Sequence, residues 1–441
     1  MKRLLIAGTH SGCGKTTVTC AILSALKGRG VIATAFKCGP DYIDPIFHRS
    51  VSAIGAYNLD PFFLDGDGLR SHLARRAGEV AVIEGAMGYY DGIGASDDAS
   101  AYTVARETNT PTILVVSAAR AGKSLAASIK GFARYRHPSH ISGVIFNHAS
   151  AARYPDLKAF AEEAGLASYG AMPSRNEWAL PDCHPGLLKP DEMAALTAAL
   201  SALGRQAARG LDLDGLLALA ETAPPLPAAR AIRHYQKKKV RLAFSRDEAF
   251  CFSYKENLEL LEALGCELLF FSPLRDRAIP RQIHGLYLGG GYPERYVRAL
   301  SKNKTMRESI RQAVEGGLPT IAEGGGFVYL HNSLDGMPMC GLIRGAAFTR
   351  KRLQRFGYIT LTARRDNLLC GAGESIRSHE FHYWDSDSPG DHFVAKKAGR
   401  DLSYPCIHTR ANLYAGFPYL YFPSNPAFAA SFVRRMVLCP K

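Results

Sequence analysis

Short apolar runs recur along the chain, each closed by glycine, proline or polar residues. In the first half they are RLLIAG (3–8), VAVIEGAM (80–87), TILVVSA (112–118) and SGVIFN (142–147). They are too short for helices and partly β-branched, so they read as buried strands. Between them, Thr17 to Leu26 and Lys123 to Arg134 carry apolar residues at helical spacing. Strands alternating with helices predict a doubly wound, mostly parallel sheet. An Ala- and Leu-rich helical stretch over 187–222 leads into APPLPAARAIRHYQKKKV (223–240), whose prolines and Lys237 to Lys239 mark a linker. A second α/β rhythm follows: VRLAFS (240–245), CELLFFSP (266–273), GLYLGGG (285–291) and PTIAEGGG (319–326). The pattern predicts an α/β protein with two doubly wound domains, residues 1–200 and 240–441. A helical, proline-rich linker over 201–239 joins them.

Composition narrows this picture. A chain of 441 residues suits two cores, and 47% hydrophobic with 21% charged residues is ordinary for globular proteins. No apolar run is long enough to span a bilayer. The apolar start MKRLLIAG breaks into a glycine-rich loop, as a first strand does and a signal peptide does not. The ten cysteines are scattered, without CxxC or zinc spacing, which fits a reduced, cytoplasmic setting. The net charge of +14 suits a polyanionic partner such as ATP or a polycarboxylate. No helix-turn-helix, finger or aromatic-basic stripe is present, so neither nucleic acid nor membrane is the expected partner.

LLIAGTHSGCGKTT (4–17) reads as strand, glycine-rich loop and helix start. Such a loop aims backbone N–H groups and a helix N-terminus at phosphates. Lys15 adds a charge on the outer phosphates, and the Thr16 hydroxyl can ligate Mg²⁺. Five residues separate Gly8 from Gly14, one more than the general phosphate-loop pattern has. The extended form G-T-x-S-x-x-G-K-T resembles the loop of dethiobiotin-synthetase-like ATPases. Gly8, Thr9, Gly12, Gly14, Lys15, Thr16 and Thr17 are therefore the expected nucleotide contacts.

Two acidic segments follow. In FKCGPDYIDPIFH (36–48), Asp41 and Asp44 sit beside Pro40 and Pro45, and the prolines predict a rigid loop presenting both carboxylates. In VIEGAMGYYDG (82–92), Glu84 closes an apolar strand. Ligands of doubly wound sheets sit beyond the carboxyl ends of strands, which places Glu84 beside the phosphate loop. Taken alone, the aspartates suit a structural turn equally well, and Glu84 an exposed surface.

KCGPDYIDP, NLDPFF (58–63), EGAMGYYDG, SGVIFNH (142–148) and LPDCHPGL (180–187) resemble successive blocks of the cobyrinic acid a,c-diamide synthase family. So do RDEAFCFSYKENLELLEALGCELLFFSPLRD (246–276), GLYLGGGYPE (285–294), KRLQRFGY (351–358) and RSHEFHYW (377–384). The resemblance runs along nearly the whole chain. It implies a P-loop, dethiobiotin-synthetase-like ATPase domain followed by a class I glutamine amidotransferase-like domain. It further implies ATP and Mg²⁺ as cofactors and a corrin or related tetrapyrrole polycarboxylate as substrate. Asn147 would recognise the adenine base. Thr16, Asp41 and Glu84 would hold the metal, and Lys15, Asp41 and Asp44 would act in catalysis. Family members can pair subunits, so a homodimer is left open.

The chain also departs from the family. Where the pattern AECGG supplies the glutaminase nucleophile, IAEGGGF (321–327) has Gly324. Where YLHLHFASNP supplies the histidine, FPYLYFPSNP (417–426) has Tyr419 and Tyr421. Without the thiolate no glutamyl thioester forms, and tyrosine is a poor base at neutral pH. Glycine is at ease in the strained elbow a nucleophile occupies. Cys340 and Cys370 read as packing residues, and His379 and His382 as structural or substrate-facing. Ser117 stands where the family more often has aspartate. The resemblance then implies that a substrate carboxylate attacks the γ-phosphate of ATP, and that ammonia displaces phosphate from the acyl phosphate. Free ammonia or a separate glutaminase would supply the nitrogen. Amidation of Ni-sirohydrochlorin or sirohaem, or a non-catalytic nucleotide-binding role, are the alternatives.

Overall fold

The computed structural model describes residues 1–42, 44–52, 54–76, 78–174, 190–229 and 239–438. The LPDCHPGL block and Lys237 and Lys238 lie outside the described residues. Residues up to 229 form one compact unit and those from 239 a second.

The first unit is built on seven strands: β1 (Lys2–Gly8), β2 (Ala33–Cys38), β3 (Ala56–Leu59), β4 (Val80–Glu84), β5 (Thr112–Ser117), β6 (Ile141–Asn147) and β7 (Ala167–Met172). They are ordered β3-β2-β4-β1-β5-β6-β7 and every pair is parallel. Strands covered on both faces must be apolar along their whole length, which is why these read as unbroken hydrophobic runs. One face packs Leu5, Phe36, Ile83, Leu114 and Phe146 into a single core with Leu69, Val104 and Ile129 from the covering helices. The chain leaves β1 in one direction and returns to its other side at β5. This places the crevice for a ligand above the carboxyl ends of β1, β4 and β2.

Helix α1 (Lys15–Gly28) follows the loop after β1, and α2 (Asp44–Val51) follows β2. Asp44 thus opens a helix instead of sitting in the expected rigid loop. Pro45 lies in the first turn, where its missing N–H has no partner to lose. The stretch expected as a linker begins inside the helix Pro190–Gly210 and includes the helix Leu213–Glu221. Gly204 lets the longer helix close on Ser24 of α1, and Arg29, just after α1, pairs with Asp214 at 2.6 Å. Both helices belong to the first unit.

The second unit has a six-stranded sheet. Cys266–Phe271, Val240–Ser245, Gly285–Leu288, Thr320–Glu323 and Leu413–Gly416 run parallel in that order, and His408–Arg410 is antiparallel at the edge. Two further sheets of four and five short strands, mostly antiparallel, complete it. Their alternating patterns, such as RFGYITLTA (355–363), are half-buried and too polar to stand out as buried runs. Among the described residues no helix is long and apolar enough to cross a membrane.

Candidate active site

The phosphate loop takes the shape its glycines allow. Gly12 and Gly14 have φ of +83° and +95°, which side chains bearing a Cβ rarely adopt. Gly14 caps α1 in the left-handed conformation, and any Cβ there would strike the Asn147 carboxamide. At Gly8 a Cβ would meet the Cys13 thiol and the Lys15 stem. The loop rim at His10 to Gly12 is exposed, whereas Lys15 is buried and donates to the His10 carbonyl at 3.2 Å. Burial pulls the Lys15 ammonium below its ordinary value. The segment after β4 runs alongside the loop, with the Tyr89 amide donating to the Gly8 carbonyl at 2.8 Å.

The carboxylates expected to serve this loop are brought to it. Thr16 donates its hydroxyl to Glu84 Oε1 at 2.6 Å and lies 3.4 Å from Asp44 Oδ2. Glu84 is fully buried at the end of β4 and not on an exposed surface. Its other oxygen, Oε2, lies 2.7 Å from His48 Nε2 of α2. Lys37 Nζ, in the register position of β2 directly opposite Glu84, is 2.7 Å from Glu84 Oε1 and 2.6 Å from Asp44 Oδ2. Burial raises Glu84, but the Lys37 ammonium and the His48 hydrogen bond outweigh it and hold the carboxylate well below its usual range. Asp44 is pushed up to about 7, chiefly by burial and against the pull of Lys37. Asp41 stands one step out: its Oδ1 accepts from the Asp44 amide at 3.3 Å. Asn58, of the NLDPFF block, pins this segment through the Gly39 and Asp41 carbonyls at 2.9 and 2.8 Å.

Lys37 and His48 are the site residues that sequence reasoning missed. Lys37 is a lone cation inside the buried strand ATAFKC, a position that demands a buried partner once the strand itself is known. Asn147 is 3% exposed and donates to the Cys13 carbonyl at 3.0 Å, so it braces the phosphate loop. Ser117 Oγ lies 2.9 Å from His148 Nδ1 at the neighbouring strand end. Thr9 and Thr17 flank the loop, Thr9 Oγ1 lying 2.9 Å from His10 Nδ1.

A dedicated metal cage is not what this donor set offers. Among the described residues no three His, Cys, Asp or Glu side chains converge as one. One hydroxyl and two carboxylates fit Mg²⁺ instead, which keeps several waters and takes its remaining ligands from nucleotide phosphates. The carboxylate nearest Thr16 besides Glu84 is that of Asp44, where Asp41 had been expected.

In the second unit, Gly324 lies between the strand Thr320–Glu323 and the short helix Gly325–Tyr329, with φ +49° and ψ −109°. This strand-to-helix elbow is the place a nucleophile would hold. A Cβ on Gly324 would collide with the hydroxyl end of Tyr419, which fills that space. Tyr419 and Tyr421 are both buried, in a nest of rings: Tyr421 lies edge-on to Tyr254 at 5.1 Å, and Tyr419 is 6.4 Å from Phe252. Glu323, beside the elbow, accepts from Tyr287 Oη at 2.7 Å and from the Leu420 amide at 2.8 Å. Burial nevertheless pushes it up to about 8. The thiols of Cys251 and Cys370 are raised by burial to about 12 and about 11, and that of Cys340 is raised further. None of these three supplies a thiolate at neutral pH. His379 is buried in the ladder opposite Tyr419, and burial drops it to about 3. His382 stacks on Phe417 with ring centroids 4.2 Å apart.

A phosphate loop with acidic strand ends, followed by a unit built around an amidotransferase-type elbow, defines an α/β ATP-dependent ligase joined to a glutamine amidotransferase-like domain. Residues 4–182 match the CobQ/CobB/MinD/ParA nucleotide binding domain family, and residues 241–403 the CobB/CobQ-like glutamine amidotransferase domain family. The cobyrinate a,c-diamide synthase of Clostridium acetobutylicum is 36% identical over 98% of this chain and 100% of its own length. That of Listeria monocytogenes is 37% identical over 96% of this chain and 97% of its own. The chain belongs to the cobyrinate a,c-diamide synthase family of carbon–nitrogen ligases.

Proposed function

We propose that the protein amidates the a and c carboxylates of cobyrinic acid at the expense of ATP, using ammonia that its own second unit does not make. The observation that carries the ligase reading is the convergence of Thr16, Asp44 and Glu84 beside Lys15, in a chain aligned end to end with the named synthases. A substrate carboxylate oxygen attacks the γ-phosphorus and ADP departs. Ammonia then attacks the acyl carbon, phosphate leaves and a proton is lost. Lys15 neutralises charge on the outer phosphates during transfer. Thr16, Glu84 and Asp44 would hold Mg²⁺, which when bound supplies charge neutralisation on the phosphates. Asp41 and Asp44 border the same crevice and suit substrate positioning or proton acceptance from ammonia. Closure against water protects the acyl phosphate from hydrolysis.

The elbow supports the proposed nitrogen source. Gly324 offers no nucleophile, Tyr419 fills its space, and the nearby histidine, His379, is neutral in its buried setting. Free ammonia, or ammonia from a separate glutaminase, therefore feeds the reaction. We further propose a cytoplasmic enzyme with no nucleic-acid or membrane partner.

The test supplies ATP, Mg²⁺ and cobyrinic acid with either ammonium or glutamine, and reads products by mass spectrometry. Diamide is expected with ammonium alone. Diamide from glutamine would overturn the nitrogen assignment. Undiminished amidation by Lys15→Ala would overturn the ligase site, because a lost transition-state contact to phosphate costs orders of magnitude.

A further inference from the structure

Lys37 has no part in the mechanism above, yet its charge is buried among the acidic groups of the crevice. Its side chain is 6% exposed, and its ammonium touches two acidic oxygens, Glu84 Oε1 and Asp44 Oδ2, at 2.7 and 2.6 Å. These are the same two oxygens that face Thr16 Oγ1 at 2.6 and 3.4 Å. Lysine and hydroxyl therefore share one set of acceptors. His48 secures the far oxygen of Glu84, Oε2, at 2.7 Å, so Oε1 is the atom that Lys37 and Thr16 share.

Two buried carboxylates cannot stay ionised side by side without a cation. A divalent ion taken up by Thr16, Glu84 and Asp44 would supply that charge, but it would also place two positive centres on the same oxygens. At such separations their repulsion in a low-dielectric site is severe. Lysine suits a site that must release its partners, because its ammonium is a point charge on a flexible stem. An arginine fork would grip both carboxylates bidentately.

We propose that Lys37 is a resident counter-cation for the magnesium position: it holds Glu84 and Asp44 while no divalent ion is bound, and gives up both oxygens when the metal enters. The proposal rests on reading Thr16, Glu84 and Asp44 as that position. It makes Lys37 a positioning residue that sets how tightly metal binds and prevents occupancy by a bare ion before nucleotide arrives.

The probe is Mn²⁺, as an EPR-visible stand-in for Mg²⁺, titrated into the full-length protein with and without ADP. Thermal melting is followed in parallel. Lys37→Met is expected to melt lower without metal, to bind Mn²⁺ at least tenfold tighter in the absence of nucleotide, and to regain most of its lost melting temperature when Mn²⁺ is added. Unchanged or weaker Mn²⁺ binding by Lys37→Met would overturn the proposal. Should that variant fail to fold, Lys37→Arg decides. A folded Lys37→Arg with clearly weakened Mn²⁺ binding supports the exchange, and one with wild-type affinity overturns it. Glu84→Gln separates the two readings. If it retains full Mn²⁺–ADP binding, the metal position itself is wrong and the proposal falls with it. If it loses that binding while Lys37→Met leaves affinity unchanged, only the counter-cation role is wrong.

Discussion

Tyr419 meets Gly324 in space although 95 positions separate them in the chain, and this contact decides what one substitution can restore. Gly324→Cys puts a thiol where the Tyr419 hydroxyl stands, at a backbone angle strained for any L-residue. The expected outcome is a destabilised protein with no glutaminase activity and slow labelling by iodoacetamide. Adding Tyr419→Ala should open the space and speed labelling by an order of magnitude or more. Glu323 supports a second prediction. Its folded value of about 8 lies above the ordinary carboxyl range, so the native state binds the extra proton. Stability therefore falls as pH rises from about 4.5, where the unfolded chain ionises, and levels off above about 8. Glu323→Gln keeps the polar shape and should flatten that decline, which is on the order of a few kcal/mol. Melting temperature against pH checks it.

The phosphate loop shows how an element depends on one distant side chain. Asn147, at the end of β6, donates to the Cys13 carbonyl and packs where a Gly14 Cβ would be. Gly14→Ala forces the αL position and the contact at once, costing roughly 1–3 kcal/mol in strain. Fluorescent ATP-analogue binding should weaken at least tenfold and the melting temperature should drop. Asn147→Ala removes one buried hydrogen bond, worth about 1 kcal/mol, and should weaken the analogue less than Gly14→Ala does. At α2 the lesson differs. The prolines beside Asp44 argue for a loop when read alone, but a proline in the first turn is compatible with helix. Asp44 is therefore carried at a helix start, facing Thr16.

Each unit has its own apolar core: Leu5, Ile83 and Leu114 centre one, and Leu242, Ile321 and Phe432 one of those in the other. The helices Pro190–Gly210 and Leu213–Glu221 belong to the first unit. A fragment of residues 1–229 should therefore unfold cooperatively and bind an ATP analogue within about threefold of the intact chain, the tolerance of a domain that could fold alone. A fragment ending at residue 200 cuts through the first of these helices and should melt lower or not fold. Calorimetry and analogue binding on the two fragments read the difference.

Most of the first sheet was visible in the chain, because strands buried on both faces must be apolar and their boundaries are glycines, prolines and charges. The phosphate loop and Glu84 at a strand end were legible for the same reason, that local geometry demands particular residue types, whereas the absent nucleophile at Gly324 was legible only through the resemblance to the family pattern. β2, β3 and β7 were not, since ATAFKC, AYNL and ASYGAM are short and carry polar or small residues in place of an unbroken apolar run. Nor were the antiparallel sheets, whose strands alternate and leave one side in solvent. Tertiary structure alone decided that Lys37 joins Glu84, 47 positions away, through the register of β2 on β4. It alone placed Asp44 nearer than Asp41 to Thr16, and the Tyr419 ring in the emptied elbow. Local sequence governs conformation and burial, whereas contacts between distant side chains depend on register and packing, which emerge only when the sheet is assembled.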